Sequence, residues 1–185
     1  RLNQGAGKLR NRALNTMSCD WDLSKPTDEY FEELFRISRN QIIWGGNYFH
    51  LPPTRGILCW DKMQPWENFS QFELAWTSFD CPAAIIHLSN TGGANKETKI
   101  HPTQKPKALY HWVFKKYANS GDKILDTHLG SGSSRIVAFK LGFDFYATEI
   151  DTEYFESQEK RFRSECFGEI KTKKGTLVQT SLFDV

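Results

Sequence analysis

Apolar and polar positions follow two different rhythms along this chain. Behind Pro26-Thr27, Phe31, Leu34 and Phe35 recur at helical spacing, and Asp28 and Glu29 suit the positive end of a helix. Three short apolar runs come next and read as strands. QIIW (41–44) is stopped by Gly45-Gly46, ILCW (57–60) is ended by Asp61, and AAIIHL (83–88) follows Pro82. The stretch PWENFSQFELAWTSF between the last two mixes aromatic and polar residues and is expected to be helical. Residues 89–98 are polar and glycine-bearing, which predicts a loop.

The second half has the clearer alternation. Residues 107–118 set Leu109, Trp112, Val113 and Tyr117 on one helical face, ended by Asn119-Ser120-Gly121. KILD (123–126) reads as a buried strand, THLGSGSS as a turn, and residues 135–141 as a helix closed by Gly142. FDFYATEID predicts a second strand ending near Glu149, and residues 153–163 a further helix. Strand, glycine turn, helix, strand, helix predicts an α/β fold with a doubly wound, mostly parallel sheet.

Composition narrows the class. With 185 residues the chain is long enough for one domain with its own core. Its 24 Lys+Arg against 22 Asp+Glu exclude an acidic disordered tail and a histone-like polycation. No apolar run approaches the roughly 20 residues of a membrane span. Cys19, Cys59, Cys81 and Cys166 are scattered without a C-x-x-C pair, so neither a disulfide framework nor a metal site is expected. Residues 1–19 hold four basic residues and no acid. A loop is the plain reading of that segment, and a phosphate-contacting arm built on Lys8, Arg10 and Arg12 is the sharper one.

The chemistry concentrates after residue 123. Asp126 closes a strand, and Gly130 and Gly132 form a turn opening a helix, where a ligand can approach backbone without a Cβ in the way. Glu149 follows Gly132 by 17 residues at the next strand's end, where an acid can accept both hydroxyls of a ribose. Arg135 stands where the dinucleotide fingerprint has its third glycine, which argues against NAD or FAD. No phosphate-loop motif and no nucleophile elbow exists. A nucleoside cofactor lacking a pyrophosphate remains, with S-adenosylmethionine the leading candidate.

Just upstream stands HPTQKP, residues 101–106. Joined to D-x-x-x-G-S-G-S-S and T-E-I-D, it resembles the S-adenosylmethionine-dependent amino-methyltransferases of DNA. The resemblance is to their permuted branch, in which the cofactor half follows the catalytic half. IIWGGNYF (42–49) and WDK (60–62) also resemble phage-type adenine methyltransferases. It covers roughly residues 20 to 165 and implies a Rossmann-like methyltransferase domain over 1–185. Within it, residues 20–100 would be the remainder of the catalytic half, 101–165 the cofactor half and 166–185 a tail.

The resemblance also implies roles. Thr103, Gln104 and Lys105 would hold the methionine end of the cofactor, and Asp126, Gly130, Ser131 and Gly132 would line the pocket. Glu149 would take the ribose hydroxyls, with Asp151 nearby. His128 stands where the family has an aromatic residue and is expected to replace it by shape. Double-stranded DNA is the implied partner, adenine N6 the implied target and cytosine N4 the alternative, without metal or membrane, in a cytoplasmic restriction–modification setting of a bacterium or phage. The family's polar-Pro-Pro-aromatic catalytic motif is not in this sequence. Leu51-Pro52-Pro53-Thr54 lacks its polar and aromatic members. The motif is expected upstream of residue 1, so no catalytic residue is assigned. Two other classes share the features: a cofactor-binding protein of this type without activity, and an unrelated nucleotide-binding regulator. Finally, Gln179, Leu182 and Phe183 are similar to the Q-x-x-L-F peptide that docks on replication sliding clamps. The competing expectation is a terminal strand in which Leu177, Leu182 and Phe183 cover the core.

Overall fold

The computed structural model describes residues 25–64, 69–89, 97–172 and 175–178. Lys8, Arg10 and Arg12, and Gln179, Leu182 and Phe183, lie outside the described residues. The chain divides into two compact units, Arg1–Ala94 and Asn95–Val185. Among the described residues no helix is long and apolar enough to cross a membrane, and no group of three His, Cys, Asp or Glu is placed to hold a metal ion.

The first unit contains α1 (Asp28–Ile37), β1 (Ile42–Trp44), a 3-10 turn (Gly46–Tyr48), β2 (Ile57–Asp61), β3 (Phe72–Thr77) and β4 (Ala84–His87). These strands form one sheet in the order β1-β3-β2-β4. β3 is antiparallel to both neighbours, whereas β4 runs parallel to β2, pairing Leu58 with Ala84 and Asp61 with His87. The sheet is therefore mixed. β3 replaces the helix expected between the second and third apolar runs. Its Glu73 and Ala75 are ordinary helix formers, but ladders on both sides override that local preference.

Side chains of both faces explain the pairing. Leu58, Trp60, Ala75 and Trp76 are buried. The Trp60 indole N–H donates to the Leu88 carbonyl at 2.8 Å, and that of Trp76 to Pro52 at 2.7 Å. Trp60 of WDK is thus a core anchor, and the Pro52-Pro53 segment serves the packing of β3. Gly46 permits the same approach, since a Cβ there would lie 2.5 Å from the Trp76 Cβ. α1 presents Phe31 against Phe49 and Phe35 edge-on against Trp76.

The second unit contains α2 (Lys107–Tyr117), β5 (Lys123–Asp126), α3 (Ser133–Leu141), β6 (Asp144–Ala147), α4 (Thr152–Phe167), and a hairpin of β7 (Glu169–Thr172) and β8 (Gly175–Val178). β5 and β6 are parallel, with Asp126 beside Ala147. α2 buries Leu109, Val113 and also Phe114, which its expected face left out. β5 is not the fully buried strand its apolar residues suggest. Leu125 and its β6 partner Tyr146 are exposed, and only the Ile124–Phe145 face is partly covered. α4 runs beyond the expected Arg163 to Phe167, because Phe167 packs on Phe162 and Phe139 before Gly168 closes the helix.

Candidate functional site

The carboxyl ends of β5 and β6 deliver the residues singled out by spacing. After β5 the chain turns through residues 127–132 and enters α3, with Gly130 and Gly132 both in the left-handed region at φ +52° and +71°. Asp126 secures this turn from below. Its Oδ1 accepts the His128 N–H at 3.0 Å, and its Oδ2 accepts the Ser134 hydroxyl at 2.5 Å. The Gly132 N–H donates to the Leu129 carbonyl, and the Leu129 N–H to Thr148 beyond β6. Turn and strand ends therefore form one hydrogen-bonded piece.

Glu149 completes it. One carboxylate oxygen accepts the Gly130 N–H at 2.7 Å and the other the Asp151 N–H at 3.0 Å. Each oxygen has a further lone pair, so the carboxylate can still accept two hydroxyls. Asp151 caps α4, accepting from the Glu153 and Tyr154 amides at 2.9 and 3.1 Å. Gly132 is backed by Gln158, whose Oε1 would lie 3.0 Å from an added Cβ. Ser131 is buried, and its hydroxyl lies 3.1 Å from that of Ser133.

The HPTQKP loop faces this turn. The His101 ring lies 3.5 Å from where a Gly130 Cβ would stand, and it packs at 4.3 Å on the ring of Tyr154. Burial holds the His101 pKa below its usual value, with Lys105 acting in the same direction and Glu149 and Asp151 opposing. Its Nδ1 accepts the Thr103 N–H at 3.3 Å, which suits a neutral ring protonated on Nε2. Gln104 is buried and braces the loop, its Oε1 accepting from the Ile100 N–H and its Nε2 donating to the Thr98 carbonyl. Thr103 is exposed and Lys105 half-buried. His128 is exposed, with Nδ1 3.0 Å from the Thr127 hydroxyl. Of the expected residues, Asp126, Gly130–132, Glu149 and Asp151 thus share one neighbourhood, joined through His101 and Thr103 to the loop.

Sequence reasoning missed His101 and Tyr154 as site walls, and it missed Gln158. The available signal for Gln158 was a polar residue four positions before the buried Phe162, on the same helical stripe. Arg135 lies against α4, its guanidinium 3.8 Å from the Phe162 ring centroid and bonded to Glu159 at 2.5 Å.

Residues 6–160 match the family described as DNA methylase, the N6/N4 methyltransferases. The chain belongs to the N6/N4 DNA methylase family. Among curated relatives, it is 37% identical over 87 residues to the type II methyltransferase M.HpaI of Haemophilus parainfluenzae, covering 47% of this chain and 28% of that protein. It is 28% identical over 145 residues to the type II methyltransferase M2.DpnII of Streptococcus pneumoniae, covering 78% of this chain and 50% of that one. The chain spans half or less of these relatives' length. Among solved structures, the M1.HpyAVI–SAM complex matches over 58% of this chain and 61% of its own, at 24% identity and a TM-score of 0.45. The DNA methylase match embraces both HPTQKP and the glycine turn with Glu149.

Proposed function

We propose that this chain is the cofactor-bearing part of a DNA methyltransferase that moves a methyl group from S-adenosylmethionine to an exocyclic base amine. Adenine N6 is the target we favour, on the resemblance of WDK and the NYF neighbourhood. The observation that carries the reading is the Glu149 carboxylate bonded to the Gly130 N–H beside the HPTQKP loop.

The residues present fit such a cofactor. Gly130 and Gly132 let the turn take its positive φ with the His101 ring against the first and Gln158 against the second, and Glu149 keeps acceptor capacity for a ribose diol. Asp126 and Asp151 add negative charge suited to a cationic ligand while holding the turn and α4 in place. On this reading Ser131 lines the pocket, Thr103 and Lys105 receive the methionine carboxylate and amino end, and Gln104 keeps their loop in shape. His128 fills space beside the turn. Bound S-adenosylmethionine supplies an electrophilic methyl group. What the chain's residues supply is in-line orientation. The base must leave the duplex first, at a cost of a few kcal/mol. The group that polarises its amine belongs to the polar-Pro-Pro-aromatic motif, which residues 1–185 do not contain.

Double-stranded DNA is the proposed substrate, with Lys8, Arg10 and Arg12 on its phosphates. A tail peptide holding Gln179, Leu182 and Phe183 is proposed to dock on a replication sliding clamp, the glutamine amide in a polar recess and the two apolar side chains in a cleft. Fluorescence anisotropy of a labelled 175–185 peptide on a bacterial clamp tests this, and loss of binding on Leu182→Ala and Phe183→Ala is expected. The activity is tested by labelled methyl transfer to duplex DNA, using the full product of the gene that encodes this chain, followed by nucleoside analysis. N6-methyladenine is expected. N4-methylcytosine would transfer the reading to the other amine, and cofactor binding without any methylated base would leave a binding protein.

A further inference from the structure

Arg161, on α4, has a side chain only 9% exposed and joins elements far apart in sequence. Its Nη1 donates to the Ser131 carbonyl and to the Ser133 hydroxyl, both at 3.0 Å. Its Nη2 donates to Glu97 Oε2 at 2.5 Å, and its Nε to Glu165 Oε1 at 2.9 Å. The second oxygen of Glu97 accepts the Lys107 N–H at 2.8 Å, the first amide of α2. The Lys107 ammonium closes the circle on Glu165.

The consequence is geometric. The HPTQKP loop runs between Glu97 and Lys107, and both ends are held by the same circle of charges. Arg161 links that circle to the middle of the glycine turn. A guanidinium does this because it presents a planar fork with donors in several directions, whereas an ammonium is a point charge.

We infer that Arg161, together with Glu97, is a positioning residue for cofactor binding: it sets the distance between the HPTQKP loop and the glycine turn, so both walls of the site are formed before a ligand arrives. This rests on the cofactor reading above. Arg161 acts through Ser131 and through Glu97, and it touches no reacting atom. A buried ion pair serving stability alone is the competing role.

The test compares Arg161→Lys, Glu97→Gln, their double variant and Arg163→Gln, an exposed control on the same helix. Each is checked for folding by circular dichroism, then titrated with S-adenosylmethionine by calorimetry. Amide exchange is followed over residues 129–133 and 100–105 without ligand. We expect Kd to rise about tenfold in each single variant, with the double variant no weaker than the worse single one. We also expect faster exchange in both peptides and no change for Arg163→Gln. Unchanged Kd in folded variants, whatever their melting temperature, overturns the inference. If the unsubstituted protein itself does not bind S-adenosylmethionine, the cofactor reading fails instead. The exchange data then decide the positioning role, and unchanged protection at 129–133 overturns it.

Discussion

Glu149 and Gly130 are 19 residues apart in the chain, and a 2.7 Å hydrogen bond joins the carboxylate of one to the amide of the other. The acid that follows β6 is thereby fixed to the turn that follows β5. Acceptor and backbone wall belong to a single rigid element, as a preorganised site requires.

Asp126 is the foundation of that element, so its removal should be felt in stability. Asp126→Ala takes the acceptor from the His128 amide and the Ser134 hydroxyl together. We expect a loss of about 1–3 kcal/mol in urea unfolding. Asp126→Asn should restore much of it, since an amide oxygen still accepts.

Gly132 combines two demands. Its φ of +71° penalises any Cβ, and an added Cβ would stand 3.0 Å from Gln158 Oε1 and 3.1 Å from Gln158 Cβ. Gly132→Ala should therefore cost about 1–3 kcal/mol of stability. Thermal unfolding reads this directly, and a neutral result would mean that the turn relaxes freely.

His101 makes stability depend on pH. Burial lowers its folded pKa below the unfolded value near 6.5. A depressed pKa means that the unfolded chain takes up the proton more readily. The stability that neutral His101 confers is thus complete above about pH 6.5 and is lost as pH falls through the folded value. Protonation also removes the Nδ1 acceptor for the Thr103 N–H. In His101→Asn the amide oxygen can take that hydrogen bond without titrating. Unfolding experiments from about pH 7.5 to pH 5 should show a steeper loss for the unsubstituted protein than for His101→Asn. Parallel curves would remove His101 from the site's electrostatics.

The basic segment is tested by salt. Neutralising Lys8, Arg10 and Arg12 should flatten the dependence of DNA affinity on ionic strength, by roughly 0.9 in slope for each phosphate the segment no longer neutralises. An unaltered slope would release the segment from any role on DNA.

The second half of the fold was legible because its punctuation is local. Gly132 and Gly142 adopt positive φ at the two ends of α3, Gly121 does so in the turn before β5, and Glu149 falls just past the end of β6. What escaped depends on partners that no local pattern names. β3 contains residues at home in a helix, and only the flanking ladders of β1 and β2 make it a strand. Gln104 was expected on the cofactor. Its buried amide holds the Ile100 and Thr98 backbone, a partnership invisible in a hexapeptide. Arg161 and Glu97 lie 64 residues apart, and no spacing rule links them.

On the proposed reading, the Glu149–glycine turn unit holds S-adenosylmethionine through its ribose. Calorimetric titration of S-adenosylmethionine into the unsubstituted protein and into Glu149→Gln measures that contact. Glutamine can keep one acceptor for the Gly130 amide, yet it lacks the charge and one of the two acceptors a ribose diol needs. Saturable one-to-one binding is predicted, weakened by about 1–3 kcal/mol in Glu149→Gln while the fold persists. Equal affinity in the two proteins, or no binding by either, would contradict it.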